Sequence, residues 1–228
     1  MSDNEFGDQA ASIATRIRDL QPEDRIAAAC RGSGNPVALA WLAESLRLDE
    51  RARVTDLGAG LGGPAAWLRS RYRCSVTAVE PELQAASAGR SLFALPTVVA
   101  AADAAPFADD SFDAALLLGV VSVLDDPRTA LSEAARLADR LGILDYCSTE
   151  PAPVRAGGST FRTEQQLCDL VASLFEAHRF AMVTIDAPQP WSQANDAVHA
   201  TPDPDEADVT EAIEAGRIAP FMLVASRR

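Results

Sequence analysis

Val54-Thr55-Asp56-Leu57-Gly58-Ala59-Gly60-Leu61-Gly62-Gly63-Pro64 decides how the rest of the chain is read. Four residues suited to a buried strand run into a glycine-rich turn, and Pro64 opens a helix behind it. A strand, a tight glycine turn and a helix in succession make a junction where backbone amides lie open to a ligand. Gly58, Gly60 and Gly63 also fit the spacing G-x-G-x-x-G of dinucleotide sites. The turn by itself therefore admits more than one adenosine-bearing ligand.

Working outward, apolar segments alternate with amphipathic ones, the order of a parallel sheet flanked by helices. Strands are expected at 53–57, 75–80, 97–101, 113–119, 141–147, 180–187 and 221–226, seven in all. Asn35-Pro36 caps a helix over 37–46, and Asp126-Pro127 caps one over 128–140. A third helix spans 163–177 with Thr163 as its cap; His178 would then sit at that helix's C-terminal end, where a polar side chain suits the dipole. The expected fold is α/β, a Rossmann-like sheet with helices on both faces.

Two stretches depart from this rhythm. Residues 1–50 look helical and precede the first strand, and 188–216 separates the last two strands where a short hairpin would suffice. Both are read as parts of a small helical cap around a main domain at 51–228. The acidic run Thr201 to Asp208 is expected to cap a helix reaching Ala215.

Composition bounds the rest. A chain of 228 residues holds one substantial domain. Its net charge of −13 repels phosphate backbones and anionic lipid surfaces, which excludes nucleic acid and membrane as partners. The acidic start, Ser2-Asp3-Asn4-Glu5, is unlike a secretory signal, so cytoplasmic residence is expected. Cys30, Cys74, Cys147 and Cys168 form no C-x-x-C pair and indicate neither a metal site nor a disulfide framework. Lysine is absent, which removes Schiff-base chemistry.

Four features have to be explained together: Asp56 ahead of the glycines; Glu80 ending the second strand; Ala102-Asp103-Ala104-Ala105-Pro106-Phe107 with Asp109, Ser111, Phe112 and Asp113; and Leu131-Ser132-Glu133-Ala134-Ala135-Arg136-Leu137 leading into the fifth strand. A carboxylate like Glu80 can accept hydrogen bonds from ribose hydroxyls, and one like Asp103 from an adenine amino group. The first two features suit a nicotinamide dinucleotide as well as S-adenosylmethionine (SAM). All four in this order and spacing resemble the class I SAM-dependent methyltransferases, in their small-molecule group.

The resemblance spans roughly Val54 to Tyr146. It implies a seven-stranded sheet whose last strand is antiparallel and inserted beside the fifth, with SAM as cofactor and S-adenosylhomocysteine (SAH) as product. It also implies that Asp56, Gly58, Ala59, Gly60 and Gly62 line the methionine portion. Glu80 with Pro81 would meet the ribose, Ala102, Asp103 and Ala104 the adenine, and Leu118 and Gly119 the transferred methyl. The chain departs from the family at Asp139-Arg140-Leu141-Gly142, where Pro-Gly-Gly is usual, and at His178-Arg179, where a glycine is usual.

Methyl transfer needs a base only when the acceptor arrives protonated. Candidate catalytic groups are Tyr146 and His199, with His178 behind them; Trp191 and Asp145 are candidates for contact with the acceptor. Trp41 and Trp67 fall on helices and suit core packing. The acceptor is expected to be a small neutral or cationic molecule methylated at O, N or C, and a homodimer is left open. The alternatives carried beside this reading are a nicotinamide oxidoreductase and a SAM-binding protein that transfers no methyl group.

Overall fold

Each long strand puts alternate side chains on opposite sides, and both sets are apolar, so the sheet is covered on both faces. The computed structural model describes residues 3–30, 34–182, 191, 193–194 and 204–227. In chain order the elements are α1 (Asp3–Ile17), α2 (Pro22–Ala28), α3 (Pro36–Ser45), β1 (Arg53–Leu57), α4 (Gly63–Tyr72), β2 (Ser75–Val79), α5 (Leu83–Phe93), β3 (Thr97–Val98), β4 (Phe112–Leu118), α6 (Pro127–Leu137), β5 (Ala138–Ser148), β6 (Val154–Ala156), β7 (Ser159–Phe161), α7 (Glu164–Ala172), β8 (Ala177–Met182), α8 (Pro204–Glu214) and β9 (Ile218–Ser226).

Seven strands form one sheet in the order β3-β2-β1-β4-β5-β9-β8. The pairs from β3 to β5 are parallel, while β9 runs antiparallel between β5 and β8. On one face Leu57, Ala115, Leu117, Leu141, Ile143 and Leu223 pack with α6 and α7. On the other, Val54, Val76, Ala114, Leu116 and Leu144 pack with α3 and α4. The fold class read from the sequence is the one observed.

The caps behave as their residues dictate. Asn35 Oδ1 accepts from the amides of Val37 and Ala38, each at 3.0 Å, and Asp126 Oδ1 accepts from Arg128 N at 3.0 Å. Thr163 and Gln166 form a reciprocal capping box at the start of α7.

Several boundaries differ from expectation, and β3 ends at Val98 rather than at 101. Helix α6 stops at Leu137 rather than Arg140, and β5 starts at once with Ala138 in an extended conformation. Pairing drives this: Ala138 and Arg140 join the register of Phe112 and Ala114, and the Asp139 carbonyl accepts from Arg227 N at 2.7 Å. The helix and strand therefore need no Pro-Gly-Gly turn between them. Helix α7 ends at Ala172, and His178 lies in strand β8 opposite Ala225, exposed, rather than at a helix terminus. Strand β9 is long enough to recruit residues 177–182 as a further antiparallel partner. The part of the expected strand beyond Met182 lies outside the described residues.

A hairpin, β6–β7, was not expected at all. Gly157 and Gly158 both take positive φ (51° and 71°), as a two-residue turn between tightly paired strands requires. The hairpin packs with α8 through Val154, Phe161, Ala212 and Ile218. The helical leader also divides: α1 packs on α5 through Ile13, Ile17, Ala85 and Leu92, whereas α3 belongs to the core of the sheet. Within the described residues, Gln9 of α1 reaches Glu206 of α8 at 3.5 Å, so the leader and the insertion meet. No described helix is long and apolar enough to cross a membrane.

Candidate functional site

Four parallel strands, β3, β2, β1 and β4, end along one edge of the sheet, and the loops leaving them carry the residues expected to bind cofactor. The glycine turn after β1 is built from its own amides. Gly58 N and Ala59 N both donate to the Val79 carbonyl, at 2.8 and 3.0 Å, which presses the turn against the end of β2. Gly58 has φ of +78°, and a Cβ there would lie 2.7 Å from Val120 Cγ2. Only glycine meets both demands.

Glu80 fastens the turn from the other side. Its Oε2 accepts from Gly60 N at 2.7 Å and its Oε1 from Glu82 N at 2.9 Å. The carboxyl is 4% exposed, and burial raises its pKa against the pull of those two amides. A carboxylate offers about four acceptor positions, so each oxygen keeps one for a further donor.

Asp56 is stranger. It is 1% exposed, and neither carboxyl oxygen has a hydrogen-bond partner. Burial, and secondarily the nearby Glu80, push its pKa up to about 7. Cys30 is drawn into the same environment: burial and then the Asp56 charge raise its thiol well above the usual range. A buried acid with no donor is costly when ionised. Among the described residues it is a carboxylate at the end of β1 that the fold itself leaves unanswered.

On the flanks, Ala102 is buried while Asp103, Ala104 and Pro81 are exposed, and Ala104 N donates to the Ala101 carbonyl at 3.1 Å. Leu118 closes β4 half-buried; Gly119 follows with φ of +74° and open space where a side chain would stand. The structure thus brings Asp56, Gly58, Ala59, Gly60, Gly62 and Glu80 into one connected unit, with 102–104 on one side and 118–119 on the other.

The acceptor-side candidates divide. Asp145 is turned inward: it is 1% exposed, Oδ2 accepts from Ser122 N at 3.0 Å, and Oδ1 accepts from Ser122 Oγ and Tyr146 N, both at 2.7 Å. Burial outweighs those hydrogen bonds and raises its pKa. Its work is to tie the loop after β4 to β5. Tyr146 is half-buried, with its ring edge-on to Phe161 at 6.5 Å between centroids. Burial, then Asp145, raise its phenol, so it remains protonated at neutral pH and can orient or donate rather than serve as a ready base. Trp191 is helical and half-buried, and His199 lies outside the described residues. Trp67 stacks edge-on with Tyr72, and Trp41 lies under the Arg179 guanidinium at 4.4 Å, both among the helices away from the loops.

Sequence reasoning missed Arg162. Its guanidinium donates to the carbonyls of Val121 (3.0 Å), Leu124 (3.2 Å) and Asp125 (2.8 Å), while Thr160 N donates to the Ser122 carbonyl at 2.8 Å. The hairpin therefore grips the loop that borders Gly119. No local pattern announces an arginine whose partners are main-chain carbonyls, three of them on another loop.

A Rossmann-like sheet with an antiparallel strand inserted beside the fifth, and a carboxylate-fastened glycine turn, define the class I methyltransferase fold. Residues 55–144 match the family described as "Methyltransferase domain". Solved structures agree on the fold. Geranyl diphosphate C-methyltransferase from Streptomyces coelicolor A3(2) is 15% identical, with a TM-score of 0.67, over 84% of this chain and 78% of its own. The [4+2]-cyclase SpnF is 20% identical, with a TM-score of 0.64, over 83% of this chain and 80% of its own. Phosphoethanolamine N-methyltransferase 2 from Haemonchus contortus is 12% identical, with a TM-score of 0.70, over all of this chain and 60% of its own. No curated protein matches the chain by sequence.

Proposed function

We propose that this protein is a SAM-dependent methyltransferase acting in the cytoplasm on a small neutral or cationic acceptor, at O, N or C. The observation that carries the reading is the crevice floor: Asp56, sealed and without a partner, beside a glycine turn that Glu80 holds. SAM supplies a sulfonium-bound methyl group with a good leaving group already in place. Its methionine end carries an ammonium, and Asp56 is the unanswered acceptor on the side of the crevice assigned to that end.

The chain's own residues then have separable tasks. Asp56 and the 58–62 turn receive the methionine portion, the spare acceptor positions of Glu80 receive the ribose hydroxyls, and Ala102, Asp103 and Ala104 meet the adenine. Leu118 and Gly119 border the methyl group, where the open space beside Gly119 leaves room for the acceptor. Tyr146 orients that acceptor as a neutral phenol, with Trp191 as a further contact for it. The helices α1 and α8 act as the cap that keeps water out, which a displacement at carbon or nitrogen requires more than it requires a base.

Structural likeness alone does not fix the reaction, since the same fold carries a cyclase. The test is therefore in two parts. Calorimetry with SAM and SAH should give saturable binding; a folded protein that binds neither at millimolar ligand refutes the assignment. Incubation with methyl-labelled SAM and a panel of small amines, phenols and carboxylic acids should yield a labelled product and SAH. Binding without any SAH formed across the panel would favour the SAM-binding alternative.

A further inference from the structure

Helix α6 carries two charged residues, Glu133 and Arg136, that the site as described does not use. Glu133 is only 8% exposed, an unusual place for a carboxylate unless both oxygens are answered. They are. Oε1 accepts from Ala105 N at 2.8 Å and from Arg136 Nη2 at 2.7 Å, and Oε2 accepts from Arg136 Nε at 2.8 Å. The guanidinium then reaches beyond its own helix, donating to the carbonyls of Phe107 at 2.7 Å and Ala105 at 3.1 Å and to Asp109 Oδ1 at 2.8 Å. The Arg136 carbonyl in turn accepts from Asp110 N at 3.0 Å.

The segment gripped in this way begins at Ala105, directly after Asp103 and Ala104. Those two residues are exposed, and Ala104 N donates to the Ala101 carbonyl at 3.1 Å. Both the N–H and the carbonyl of Ala105 are held by the same ion pair, so the direction in which the chain leaves Asp103-Ala104 is set from α6. We propose that Glu133 and Arg136 are positioning residues for the adenine-binding turn, fixing Ala105 so that Asp103 and the Ala104 amide face the base. The proposal rests on the SAM-binding reading above and adds to it the device that pre-organises one subsite.

Chemistry favours this pair for the task. Arginine presents a planar fork that satisfies a carboxylate on one side and main-chain carbonyls on the other, whereas lysine would offer a single point of contact. The Arg136 guanidinium holds the Glu133 carboxyl below the usual range, so the brace stays ionised across the neutral region.

The experiment compares Arg136→Met, Glu133→Gln and Glu133→Ala with wild type. A surface control is Arg53→Met, which breaks the ion pair with Asp113 at the opposite end of the sheet. SAH and 5′-methylthioadenosine are titrated well below each variant's melting midpoint. Arg136→Met and Glu133→Ala are expected to weaken both ligands by a similar factor of about tenfold, because methylthioadenosine shares the adenosine and lacks the amino-acid end. Glu133→Gln keeps an acceptor for the Ala105 amide and should lose about threefold or less. Arg53→Met should leave both affinities unchanged.

Variants that melt earlier yet bind both ligands as wild type does would overturn the proposal, as would weakening confined to SAH. Wild type that binds neither ligand refutes the SAM reading instead. In that case hydrogen exchange of the unliganded protein decides: faster exchange in Arg136→Met confined to residues 103–110 supports the brace, and exchange equal to wild type overturns it.

Discussion

Asp56 is where a single side chain makes the most specific demand. Its carboxyl titrates near neutrality in the folded protein and at the ordinary carboxylate value, about 3.8, in the unfolded chain. A raised acid stabilises the fold only while protonated: its contribution is full below the unfolded value and is lost as pH climbs through the interval up to about 7. Asp56→Asn removes that loss. The variant should therefore gain on wild type between pH 4 and 8 by up to a few kcal/mol, read as the difference in urea midpoints, since other carboxylates govern the common acid limb. Cofactor binding should show the opposite face of the same linkage. SAM affinity in wild type should rise from pH 5.5 to 8 with release of up to one proton, measured by calorimetry in buffers of different ionisation enthalpy. In Asp56→Asn binding should be weaker by tenfold or more and flat with pH. A wild-type profile that is flat would mean that Asp56 does not meet the ligand's cation.

The same scale separates Glu80 from Asp103. Glu80→Ala removes the acceptor for two structural amides as well as the group proposed to meet the ribose, so stability and SAH affinity should fall together. Asp103 is exposed, and Asp103→Ala should weaken SAH binding while leaving the melting midpoint within about 1 °C, as is usual for a surface change. Parallel loss of stability in both variants would remove the distinction drawn between a fastener and a ligand contact. The residues proposed for this edge stand out in the sequence because each belongs to a short local pattern at a strand end. Asp145 was misread because nothing local reveals that Ser122, on the next loop, would capture both of its oxygens.

Among the elements, those with a chemical full stop were legible. Asn35-Pro36, Asp126-Pro127 and Thr163 with Gln166 begin their helices as expected, because a cap is a contact within a few residues. Ends set by tertiary pairing were not: α6 yields three residues to β5 because β4 offers them a ladder, and the strand expected from Phe180 starts three residues earlier, at Ala177, because β9 extends the pairing. The hairpin was legible in principle, since Gly157-Gly158 lies between short paired runs, but the runs are only three residues each. Gly142 shows how an element's packing explains a departure in sequence. In the middle of β5 it lies beneath α3, and a Cβ there would come within 2.8–2.9 Å of Leu42, Leu46 and Leu116. Gly142→Ala should therefore cost about 1–3 kcal/mol through overpacking, seen as a lower urea midpoint with an unchanged slope. Helix α3 would have to lift from the sheet if the cost were larger, and a neutral result would show that the three leucines can rotate away together.

At the scale of the whole molecule, charge does what no single contact does. The chain carries −13, every one of its 20 formally basic side chains is arginine, and several of these are committed to pairs or carbonyls, as Arg136, Arg162 and Arg227 are. The net field is therefore negative, and two of the acids counted in it, Asp56 and Glu80, are buried at the ends of β1 and β2. Such a field accelerates the approach of cations and falls away as salt shortens its reach. SAM and SAH provide a matched pair for measuring it, since they share adenosine and amino acid and differ by the methyl group and its positive charge. Stopped-flow association of SAM should slow several-fold between about 20 mM and about 500 mM NaCl, while SAH, with no net charge, should change little. Dissociation rates should move less than association rates in both cases, because once seated each ligand meets fixed local partners rather than the long-range field. Equal salt slopes for the two ligands would mean that the long-range field does not govern entry. A steeper slope for SAM that survives neutralising Asp205 and Glu206 at the start of α8 would locate the source of the attraction in the molecule's overall charge rather than at its mouth.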